Sequence, residues 1–94
     1  MTSNDLILNI AVNLGRLGRW ALEKKEARIK QFIQDTDFYL NELERASINP
    51  RFIPTFHFFK SEYSRLSQNI QLDETWAESM FTWANILTHR AKLA

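Results

Sequence analysis

The sequence predicts an all-α protein, a small helical bundle of three to four helices joined by short antiparallel connections. Three observations predict it. Apolar residues recur at steps of three and four through most of the chain. Only two glycines and two prolines occur in 94 residues, fewer turn formers than a β-rich domain needs. The composition, 45% hydrophobic and 24% charged, has enough apolar material to build a core. The length fits a single helical domain spanning residues 1–94.

The first helix should begin near Ser3. Thr2, with Asp5 three residues on, forms a capping box, and Asp5 suits the positive end of the helix dipole. Leu6, Ile10, Leu14, Leu17 and Ala21 follow at helical spacing, and Ile7, Leu8, Ala11 and Val12 widen the apolar face. Asn9, Asn13, Arg16 and Arg19 form a narrow polar strip. Gly15 and Gly18 each cost about 1 kcal/mol relative to alanine in a helix interior, so they mark a close crossing, a kink or a break. From Trp20 to Ala46 the helical signal is again strong, with Leu22, Ile29, Phe32, Ile33, Leu40 and Leu43 along one side. The stripe changes phase near Lys24 and Lys25. The first helix is therefore expected to be long, or bent near Gly15–Gly18.

Residues 47–51 form the clearest loop, because Pro50 cannot continue a helix and Asn49 before it prefers extended backbone. Pro54 fits the first turn of the next helix, whose stripe runs through Phe56, Phe59, Tyr63, Leu66 and Ile70. Phe58 lies off that stripe; if exposed, it marks a contact surface. After a turn at residues 69–72, Asp73 is the N-cap of a last helix with Trp76, Met80, Trp83 and Leu87 on one face and Ala77, Ala84 and Ala91 on another. His89, Arg90 and Lys92 suit its negative end.

Site chemistry is sparse. The chain has no cysteine, which removes disulfides, thiolate metal sites and cysteine nucleophiles. His57 and His89 are the only histidines, and neither stands in a metal-ligand spacing. His57 lies four residues before Ser61, within reach on a helix, but no strained turn presents the serine as a nucleophile. The two glycines form only Gly-x-x-Gly in a helical context, so phosphate-loop and dinucleotide patterns are missing. No enzyme role, metal, cofactor or small-molecule substrate is implied. The run from Leu6 to Leu14 is interrupted by Asn9 and Asn13 and is shorter than the roughly 20 residues of a membrane span, so the chain reads as cytoplasmic.

Two functions compete. In the first, the protein is a non-enzymatic helical interaction or regulatory module that self-associates through the apolar helix of residues 4–22. Leu6, Ile10, Leu14, Leu17 and Ala21 supply that contact, and Gly15 and Gly18 allow close approach. The partner is a second copy or another protein. In the alternative, the basic stretch of residues 16–30 binds nucleic acid, with Arg16, Arg19, Lys24, Lys25 and Arg28 on phosphates. The formal net charge of +1 argues against a surface given over wholly to phosphate binding, and the basic run also fits a solvated face with ion pairs such as Glu26–Lys30. Ile10, Ala11, Leu14 and Gly15 resemble the first helix and turn of a helix-turn-helix motif, with the following basic helix as reader; Arg16 and Lys24 depart from that pattern. A membrane-surface role fits less well, since the polar strip is largely asparagine at its start.

Overall fold

Thr2 starts the first helix as its capping signal predicts. In the computed structural model, which describes residues 1–94, the Thr2 hydroxyl accepts the Asp5 N–H at 3.1 Å, and the Asp5 carboxylate accepts the Thr2 N–H at 3.2 Å. Helix α1 (Ser3–Leu22) then runs unbroken through both glycines. Of the forms expected for the first helix, neither a break at Gly15–Gly18 nor a single helix running on to Ala46 is seen. The break falls at Glu23–Lys25, where the stripe changes phase, and residues 22–46 do not continue the first helix.

The cause is a hydrogen-bonded C-terminal turn. Lys25 N–H reaches the Trp20 carbonyl at 2.9 Å, and Lys24 N–H reaches that of Ala21 at 3.2 Å. That pair of bonds is the Schellman arrangement, which closes a helix by satisfying its last carbonyls. Lys24 takes the left-handed position (φ 60°) that glycine usually fills. Its ammonium donates to the Leu72 carbonyl in the distant turn before the last helix, tying the two ends together.

Helix α2 (Glu26–Arg45) follows, then the loop that Pro50 enforces, then α3 (Ile53–Gln68) with Pro54 in its first turn. Helix α4 (Glu74–Arg90) is capped by Asp73, whose carboxylate accepts the Trp76 N–H at 2.9 Å; a short 3-10 turn, Ala91–Leu93, ends the chain.

Cross-helix contacts define an up-down-up-down ring of four. Trp20 of α1 meets Phe32 of α2 edge-on, ring centroids 4.7 Å apart. Tyr63 of α3 donates to the Ile33 carbonyl of α2 at 3.4 Å. Phe59 of α3 meets Trp83 of α4 at 5.3 Å, and the Trp76 indole N–H donates to the Leu66 carbonyl at 3.0 Å. Gly18 of α1 lies under Phe81 of α4, so close that an added Cβ would sit 2.6 Å from the ring.

Helix α1 is the central element. It supplies eight of the 22 core residues, and its backbone makes the closest approaches, to α4 and α2. Most of its wide apolar face is thus covered from two sides by its own chain, while Leu8, Val12 and Leu22 stay exposed. Helix α3 differs: its inner row of Phe56, Phe59 and Tyr63 holds its backbone farther from its neighbours. No helix is long and apolar enough to cross a membrane.

Candidate interaction groove

The five residues assigned to self-association lie inside the monomer. Leu6, Ile10, Leu14, Leu17 and Ala21 are between 0% and 5% exposed. The assignment of these five is corrected: the part of the apolar face they form has two neighbours in the same chain, and only Leu8, Val12 and Leu22 of that helix remain exposed large apolar side chains. Charged residues at Ile10 and Leu14 would break the core instead of releasing a folded monomer. Gly18 permits the chain's own α1–α4 crossing, and Gly15 faces open space. The helix-turn-helix resemblance also lapses, because Gly15 sits within a continuous helix and makes no turn.

The basic residues gather around the α1–α2 turn and stay exposed, but four of the five have partners within the chain. Arg16 lies over the Phe32 ring and Arg28 over Trp20, each 5.7 Å from the centroid. Lys25 pairs with Glu23 at 3.1 Å, and Lys24 holds the Leu72 carbonyl. The predicted Glu26–Lys30 pair is present at 3.5 Å.

The most developed concavity lies elsewhere, between α3 and α4. It has a volume of about 660 Å³ and is lined by Pro54, Thr55, Phe58 and Glu62 on one wall and by Thr75, Glu78, Ser79, Thr82, Trp83, Ile86 and Arg90 on the other. It exists because the aromatic row of α3 keeps the two helices apart. Phe58, off the core stripe, is 64% exposed, and its ring lies 5.5 Å from that of Trp83. Trp83 is braced from behind by Phe59. The middle of the groove is therefore aromatic and rigidly backed.

The two ends carry opposite charge. Glu62 and Glu78 stand at one end; Glu62 pairs with Arg65 at 3.4 Å, and Glu78 has no ion pair. Arg90 stands at the other, its Nη1 donating to the Thr55 hydroxyl at 2.9 Å and its remaining donors unpaired. Sequence reasoning found Phe58, because it breaks the stripe, and missed Glu62, Glu78, Thr82 and Arg90. Nothing in their spacing distinguishes them from an ordinary solvated face.

A second, more polar groove of about 470 Å³ runs between α2 and α3, and includes Asp37, Asn41, Glu44, Lys60 and Tyr63. Asp37 is exposed, and partial desolvation at the groove wall pushes its carboxyl up, against the pull of the Tyr63 hydroxyl. Burial first, and then the Asp37 charge, drives the Tyr63 phenol well above its ordinary value. His57 and Ser61 share a shallow open surface with Glu44, Lys60 and Ser64. The structure has no group of three or more His, Asp or Glu side chains placed to hold a metal ion.

Comparison of the chain with protein-family models, curated proteins and solved structures finds no match.

Proposed function

We propose that this protein is a non-enzymatic helical interaction module whose contact surface is the groove between α3 and α4. One observation carries the reading: Phe58, a large aromatic, stands 64% exposed beside Trp83 and Ile86 in a concave surface. Interface cores favour aromatic anchors in backed pockets with a polar rim, and this groove has both. Covering the exposed part of Phe58 alone would contribute about 3 kcal/mol at 25 cal/mol per Å² of apolar area. The basic stretch is a weaker basis for function, since most of its cations already hold partners within the chain.

A photo-crosslinking residue at Thr82, inside the groove, tests this in the native cell against the same residue at Gln34 on the exposed side of α2. The expected result is a discrete protein adduct from Thr82 that disappears when Phe58 is replaced by Glu. Equal adducts from both positions, or none from Thr82, would sink the reading.

A further inference from the structure

We infer that the occupant of the α3–α4 groove is the same groove of a second copy of this chain, related by a two-fold axis passing near Phe58; the inference rests on the groove being a contact surface. The argument is charge complementarity. Glu78 and Arg90 are both unpaired by charge within the chain, stand at opposite ends of one groove, and are twelve residues apart on α4, about 18 Å along the helix. Phe58 contacts Trp83, near the midpoint of that span.

A two-fold axis perpendicular to the groove at this midpoint reverses it end for end. Each Glu78 then faces the partner's Arg90, two such contacts per dimer, and the two Phe58 rings meet at the centre. An interface of this isologous kind must be self-complementary, and a groove with an apolar middle and oppositely charged ends meets that condition in its charge pattern, with the exposed Phe58 of each copy left to fill the other's concavity. A groove with two acidic or two basic ends would repel its own copy. The near-zero net charge of +1 adds no long-range repulsion against self-association. Phe38 on α2, 61% exposed, lies outside both walls of the groove and plays no part.

The test is the solution mass of the full 11.1 kDa chain by sedimentation velocity across a wide concentration range, with charge-reversed variants. The wild-type protein should reach twice the chain mass, and should dissociate more readily as salt rises. Glu78→Arg alone and Arg90→Glu alone should each be monomeric, with dissociation constants raised at least about tenfold, because each variant places like charges together at both ends. Mixing those two variants should restore a dimer, since both contacts in the mixed pair again join opposite charges. That recovery also shows that each variant is folded. A wild-type protein that stays monomeric at every concentration would overturn the second-copy inference; Thr82 adducts with a different protein would then leave the groove reading standing. A dimer indifferent to Glu78→Arg, Arg90→Glu and Phe58→Glu would place the interface elsewhere and overturn the inference as well.

Discussion

Replacing Gly15 and Gly18 by alanine, one at a time, probes the crossing of α1 with α4. Both glycines are interior to the same helix, so each substitution should gain about 1 kcal/mol from helix propensity and reduced freedom of the unfolded chain. At Gly15 an added Cβ meets nothing within 4 Å, and the whole gain should appear. At Gly18 the Cβ would lie 2.6 Å from Phe81 Cε1 and 2.9 Å from Cδ1 and Cζ. The half-buried ring must then move, and overpacking of this kind costs about 1–3 kcal/mol. The two variants should therefore differ by about 1–3 kcal/mol, with Gly15→Ala above the parent and Gly18→Ala at or below it. Urea unfolding followed by far-ultraviolet circular dichroism measures this directly. For a chain of this size, each kcal/mol also moves Tm by about 4–8 °C. Gly18→Ala in a Phe81→Ala background should regain the full benefit, a non-additivity that isolates the contact. If Gly18→Ala stabilises as much as Gly15→Ala in the parent protein, the ring swings away freely and the reasoning fails.

Three further outcomes follow from buried polar groups. Asn13 is 5% exposed with its Nδ2 unpaired, so Asn13→Leu should raise stability by about 1 kcal/mol or more; a lower urea midpoint would mean that the amide is satisfied. Trp76→Phe removes the indole donor to the Leu66 carbonyl at the end of α3 and should cost about 1–3 kcal/mol in the same assay, whereas a silent change would show that another donor takes over. Tyr63 has its phenol raised above 10.0, chiefly by burial, so its neutral form favours folding; that contribution is complete below pH 10 and is lost as pH rises through the folded value. Tyr63→Phe should therefore flatten the fall in stability above about pH 10, and an unchanged alkaline profile would refute this assignment. Asp37 shifts in the same direction, so its contribution is lost as pH rises from 3.8 through its raised value, well away from the tyrosine window.

Much of the fold was legible because its signals are local. The Thr2–Asp5 box, Pro50, Pro54 and Asp73 each act within a few residues; the structure starts a helix at Thr2, Pro54 and Asp73, and places Pro50 in the loop between α2 and α3. The break after Leu22 was visible only as a phase shift, because Lys24 occupies a left-handed position with no glycine or asparagine to announce it. The α1 face illustrates a different limit. Amphipathic width reports that a helix is covered on several sides, and it is silent on whether the cover is the same chain or another. The groove was harder still: Glu78 and Arg90 share α4, but its other wall comes from α3, and only antiparallel packing brings Glu62 to the end of Glu78 and Thr55 to that of Arg90.

The stand-off of α3 bears on how the protein breathes. Helix α1 is locked by close backbone approach on two sides, whereas α3 is held by side chains and has a groove along each flank. Opening α3 breaks aromatic contacts and the Tyr63 and Trp76 hydrogen bonds, and leaves the α1–α2 and α1–α4 pairs intact. Its amides should therefore exchange with solvent through a sub-global opening of lower free energy than the unfolding that exposes α1. The helix that bears Phe58 is then also the cooperative unit most able to shift, so a bound partner would register as slowed exchange along α3 before any change elsewhere in the bundle.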